Sequence, residues 1–69
     1  MNLILKNRIK ELRNVMGFTQ AELADMVGVA SAAISAYEIG RYFPSAFVSG
    51  LICLALNCNW EDCFYFERY

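Results

Sequence analysis

The four residues Thr19-Gln20-Ala21-Glu22 form a capping box. In that arrangement the threonine side chain accepts from the Glu22 amide and the Glu22 carboxylate reaches back to the Thr19 amide. Phe18 and Leu23 flank the box as the matching hydrophobic staple. Leu23, Ala24 and Val27 then supply a buried face, and Gly28 ends the helix after only two turns. Both ends of this short helix are therefore written into the chain, and its neighbours have to be fitted around it.

Before it, Ile9, Leu12 and Met16 recur at helical spacing, with Leu5 extending the stripe backward. The pattern predicts a first helix from about Leu5 or Lys6 to Met16, closed by Gly17. After Gly28, residues Val29 to Ile39 read as a third helix with Ile34 and Tyr37 inward and Gly40 at its end. Pro44-Ser45 opens a fourth helix that runs to about Leu56, where Asn57 suits a left-handed cap. Val48, Ile52 and Leu56 form its inward face. Asn59-Trp60-Glu61-Asp62 starts a short fifth helix reaching about Phe64. The two chain ends are apolar and rich in strand formers. They can pair as a small two-stranded ribbon, or stay frayed or helical.

Sixty-nine residues make one domain, residues 1–69, at the small end of what folds alone. Hydrophobic residues make up 58% of the chain and charged residues 19%, more apolar side chains than such a core can hide. That excess points to a covered partner surface. Six Lys+Arg against seven Asp+Glu give a formal charge of −1, which argues mildly against a nucleic-acid partner. Lys6, Arg8, Lys10 and Arg13 nevertheless crowd the amino-terminal end, as a solvated basic face or a phosphate-facing one. Cys53, Cys58 and Cys63 are an odd set in a chain without histidine, which reads as reduced thiols used as small hydrophobes rather than a disulfide framework or a zinc site. No apolar run matches a signal peptide or a membrane span, so a cytoplasmic protein is expected. Without histidine, a phosphate-cradling glycine loop or paired carboxylates, catalysis is not expected, and no cofactor, metal or small-molecule ligand is evident.

Two short helices at about 19–27 and 29–39, joined by a glycine turn, make a helix-turn-helix unit. In such a unit the second helix enters the major groove while the first points its amino end at phosphates. The stretch Asn7 to Glu67 resembles the Cro/CI-type (XRE-like) helix-turn-helix family over nearly the whole chain. The resemblance is carried by Arg8-Ile9-Lys10-Glu11-Leu12-Arg13, Phe18-Thr19-Gln20-Ala21-Glu22-Leu23-Ala24, Val27-Gly28-Val29, Ile34-Ser35, Tyr37-Glu38, Gly40, Pro44-Ser45, Glu61-Asp62 and Phe64. It implies an all-α, five-helix lambda-repressor-like domain that binds double-stranded operator DNA, typically as a symmetric dimer, and regulates transcription. It also implies roles: Arg13 and Glu38 as the internal ion pair, Gln20 as the phosphate-binding glutamine, and Arg41 in a loop approaching the backbone. Ser31, Ala32, Ser35 and Ala36 fall at or beside the base-reading positions.

The chain departs from the family pattern at two places. Ala30 to Ala36 carries no long polar side chain, although base readout relies on Arg, Lys, Asn or Gln. Ala30 also replaces the usual serine-like cap, so the third helix can begin at Ser31 instead. Phe47, Leu51 and Leu54 form one stripe on the fourth helix where relatives usually carry charge, with Ile39 and Phe43 nearby and Gly50 allowing close approach. This stripe reads as a homodimer or higher homo-oligomer contact, with a core stripe as the plainer alternative. A second function follows from it: a protein-interaction or self-assembly module, natural or engineered, on the same scaffold with DNA readout weakened or lost.

Overall fold

A computed structural model describes residues 2–69. In chain order the elements are β1 (Leu3–Asn7), α1 (Ile9–Met16), α2 (Gln20–Val27), α3 (Ser31–Glu38), α4 (Ala46–Leu56), α5 (Trp60–Cys63) and β2 (Phe64–Arg68). Five helices thus surround a core, and the two chain ends pair antiparallel, from Leu3 opposite Arg68 to Asn7 opposite Phe64.

The ribbon corrects the expected start of the first helix. Leu5 and Lys6 belong to β1, opposite Phe66 and Tyr65, so α1 begins only at Ile9. The physical reason lies in the ladder: once residues 3–7 pair with 64–68, their backbone groups cannot also serve a helix. The Asn7 side chain then marks the switch, accepting from the Ile9 amide at 3.1 Å. The helical stripe of α1 is also shifted. Ile9 is fully buried and Leu12 half-buried, but Met16 is exposed and Arg13 is buried in its place.

The punctuation of the other helices is local. Thr19 Oγ1 accepts from the Glu22 amide at 3.0 Å, and Glu22 Oε1 accepts from the Thr19 amide at 2.8 Å. Gly28 closes α2 at φ 82°, a left-handed conformation that costs glycine no steric strain. Ser45 caps α4 by accepting from the Val48 amide, and Asn57 ends it in the left-handed region at φ 55°. Helix α3 starts at Ser31 after Ala30, which has cap-like backbone angles but no side-chain oxygen to offer.

The core is one cluster drawn from every helix and from β2: Ile9, Leu23, Ala24, Val27, Ile34, Ile52, Cys53, Leu56, Cys63 and Phe64. Val48, Leu51, Phe18 and Tyr37 pack partly buried against it. The inward face of α4 is wider than its sequence pattern suggested, because Ser49 and Cys53 are buried too. Ser49 is tolerated there because its hydroxyl donates to the Ala46 carbonyl at 2.8 Å and accepts from Trp60 Nε1. Among the described residues no helix is long and apolar enough to cross a membrane.

Candidate nucleic-acid interface

Helices α2 and α3 are joined by Gly28, Val29 and Ala30. Ile34 sits at the centre of α3 with no exposed surface and fixes which face of the helix turns inward. The opposite face carries Ala32, exposed, and Ala36, partly exposed, with Ser35 on its flank, while Ser31 is exposed at the start of the helix one turn before Ile34. Arg41 is exposed in the loop after α3, its amide donating to the Ala36 carbonyl at 2.9 Å. The residues expected to approach DNA therefore lie on or just beyond one helix, and the side chains at their centre are short and neutral.

The carboxy-terminal end of α3 is held by a charged network. Arg13 Nε donates to Glu38 Oε2 at 2.7 Å, and Arg13 Nη2 to Glu38 Oε1 at 3.3 Å. The guanidinium also donates from Nη1 to the Phe18 carbonyl at 2.8 Å, so one side chain ties α1, the α1–α2 turn and α3 together. The Glu38 carboxylate holds the Arg13 pKa above its ordinary value, chiefly through these hydrogen bonds. Gln20 joins the same cluster, donating from Nε2 to Glu38 Oε1 at 2.9 Å. That bond fixes the amide orientation, because only the NH2 end can face a carboxylate. One of its two N–H groups is thus engaged with Glu38 and the second is left for another acceptor.

The sequence did not single out Asn7, which the structure brings to this assembly. Its Nδ2 donates to the Tyr37 carbonyl at 2.9 Å, across the domain from β1 to the last turn of α3. The available signal was an Asn placed just before the first helical stripe, a residue type that caps helices through its side chain.

The expected apolar stripe divides into two kinds of position. Phe47 is 75% exposed and Leu54 78%, and Ile39 and Phe43, in the segment between α3 and α4, are also exposed. Leu51, by contrast, is half-buried against the core. Gly50 has open space where a side chain would stand. Cys53, Cys58 and Cys63 are free thiols. Burial is the main cause that raises Cys53 to about 11 and Cys63 to about 12, with Cys58 adding to it at both and a hydrogen bond with Cys63 offsetting part of it at Cys53.

A short support helix, a glycine turn and a second helix with one anchored and one open face define the DNA-binding helix-turn-helix class. Residues 9–63 match the helix-turn-helix family. The chain is 40% identical over 64 residues to the uncharacterized HTH-type transcriptional regulator YgzD of Bacillus subtilis, covering 93% of this chain and 97% of that protein. It is 44% identical over 65 residues to an uncharacterized HTH-type transcriptional regulator of Methanothermobacter thermautotrophicus, covering 93% and 94%. The crystal structure of a candidate DNA-binding protein from Bacteroides fragilis has the same fold, with a TM-score of 0.83 at 22% identity over 90% of this chain and all of that one. The chain belongs to the Cro/CI-type (XRE-like) helix-turn-helix transcriptional regulator family.

Proposed function

We propose that this protein is a small transcriptional regulator that binds double-stranded DNA as a homodimer, with α3 in the major groove, and acts in the cytoplasm. The observation that carries the reading is the build of α3. One face is anchored by Ile34 and by the Arg13–Glu38 pair, and the other carries Ala32 and Ala36, with Ser31 exposed at the helix start. Gln20 and Arg41 are assigned to phosphates, Gln20 through the N–H not engaged by Glu38. Ser31 and Ser35 can contact bases or phosphates, and Ala32 and Ala36 can touch a thymine methyl. Each absent bidentate contact forfeits roughly 1–3 kcal/mol of discrimination, so base selectivity is weak and phosphate contacts supply most of the affinity.

A second reading, a protein-interaction or self-assembly module, is favoured by the exposure of Ile39, Phe43, Phe47 and Leu54. The two readings are compatible when that surface is the dimer contact, and exclusive when the contact covers α3. Titration against a random-sequence duplex pool at low and moderate salt, with sequencing of bound DNA, separates them. Salt-sensitive binding that enriches a two-fold symmetric site supports the dimeric regulator. Salt-sensitive binding without enrichment means phosphate contacts without readout, and no binding at low salt leaves the apolar surface as the functional one.

A further inference from the structure

We propose that Asn7 is a positioning residue for DNA readout, setting the angle of α3 by tying the end of the ribbon to the last turn of that helix. The inference rests on the DNA-binding reading and goes beyond it. Asn7 is the last residue of β1, paired with Phe64. Both ends of its side-chain amide are used: Oδ1 accepts from the Ile9 amide at 3.1 Å, and Nδ2 donates to the Tyr37 carbonyl at 2.9 Å. The carbonyls in the last turn of a helix lack intrahelical partners. That of Tyr37 receives Gly40 N–H at 3.0 Å and Asn7 Nδ2, which together fill its two lone pairs.

The neighbouring residue, Glu38, is held by Arg13. Successive residues at the carboxy-terminal end of α3 are thus held from three elements, Tyr37 from β1 and Glu38 from α1 and α2, whereas its amino-terminal end starts at Ser31 without a side-chain cap. The exposed Ser31 lies at the uncapped end, six residues from Tyr37 and roughly 9 Å along the axis at about 1.5 Å per residue. A tilt of about 10° at the clamp moves that end by roughly 1.5 Å, enough to spoil contacts that need placement within about 0.5 Å. Ile34 anchors the middle of α3 and Arg13 and Gln20 hold Glu38, so the Asn7 bond adds a restraint on tilt from the ribbon side.

Position 7 requires an acceptor and a donor on one neutral side chain of this length. Asn7→Ser keeps an acceptor for Ile9 N–H but is too short to reach Tyr37. Asn7→Asp keeps the acceptor and loses the donor. The test compares these variants with the wild type in three measurements. These are affinity for the duplex that the wild type selects, affinity for a scrambled duplex at the same salt, and the carbonyl-carbon shift of Tyr37 with backbone order parameters for residues 31–36. The expected result for Asn7→Ser is a shifted Tyr37 carbonyl resonance, lower order in α3, and about two- to tenfold weaker binding of the selected duplex. Scrambled-duplex affinity stays unchanged. A merely structural role lowers both affinities together through the folded fraction, which overturns the proposal. Unchanged carbonyl shift and order parameters overturn it as well. Where the wild type binds no duplex at low salt, the functional reading fails, and the shift and order data on the free protein still decide the tether; where it binds duplexes without selecting one, there is no readout to position and the proposal is overturned. Where Asn7→Ser does not fold, Asn7→Asp is read by the same shift and order criteria.

Discussion

Removing Glu38 and removing Arg13 are different changes, although both break one ion pair. Glu38→Ala leaves a guanidinium that is buried to 8% exposure facing no carboxylate, and deprives Gln20 of its acceptor. A buried charge without its partner costs on the order of 3 kcal/mol, a large part of what a domain of this size has. Replacing both partners by Arg13→Met and Glu38→Met removes the desolvation problem along with the attraction. The double variant is therefore expected to be more stable than Glu38→Ala by urea unfolding. A double variant no more stable than the single one means that the Arg13 bond to the Phe18 carbonyl, not the charge pair, is the important contact. The thiols give a residue-scale prediction of opposite chemistry. Cys53 and Cys63 stay neutral in the folded state up to about 11 and 12, while an unfolded thiol ionises near 9.0. Raised acid values mean that stability is intact below pH 9.0, begins to fall there, and is lost as pH rises through 11 to 12. Thermal unfolding at pH 8 and pH 10.5 is expected to show a larger drop for the wild type than for a Cys53→Ala, Cys63→Ala variant. Equal drops would show that these two thiols do not set the alkaline sensitivity.

Among the helices, α1 and α3 have N-cap residues without a side-chain oxygen, Arg8 and Ala30, and of the two Ala30 has the cap-like backbone angles. Ala30 has φ −73° and ψ 148°, the extended angles of a working N-cap, as do Thr19 and Ser45 before α2 and α4. Ala30→Ser therefore needs no backbone movement and is expected to add about 0.5–1 kcal/mol, read as a higher denaturation midpoint with an unchanged slope. No gain would mean that the new hydroxyl bonds elsewhere than to the free amides of the first turn. The contrast between α2 and α1 shows what the sequence could carry. The limits of α2 depend on contacts within four residues, Thr19 with Glu22 and Gly28 with its own turn, so they could be read directly. The start of α1 depends on Asn7 pairing with Phe64 at the other end of the chain. No local pattern encodes that register, and Leu5 sits at a spacing that suits a helix equally well. The same limit applies to the site. The family pattern brought Arg13, Gln20 and Glu38 to attention, while the Asn7–Tyr37 bond joins residues that no periodicity relates. Leu51 fell into the exposed stripe on spacing alone, and its burial depends on how α4 is rolled against the other helices.

For the whole molecule, the distribution of apolar surface bears directly on how the protein would use DNA. Among the described residues more large apolar side chains are exposed than are fully buried, and Phe47 and Leu54 are the most exposed of those on α4. The helix bears no charged residue over its eleven positions, so nothing on it opposes contact with another apolar surface. Covering a large apolar side chain contributes roughly 1.5–3 kcal/mol, and a two-fold contact counts each residue twice. Phe47→Gln with Leu54→Gln removes that gain without touching Leu51, which supports the core, and without adding a charge that would repel DNA. The wild type is expected to sediment as a dimer and the double variant as a monomer at the same concentration, and the variant's melting temperature is expected to lose any dependence on concentration. Binding to a symmetric duplex should fall about 100-fold or more, because the second half-site is no longer reached at high effective concentration, while binding to an isolated half-site stays the same. Unchanged mass would place the dimer contact elsewhere, with the exposed edges of the ribbon as the next surface to test. A monomer that still bound the symmetric duplex as tightly as the wild type would show that recognition needs only one protomer, and would count against the dimeric regulator.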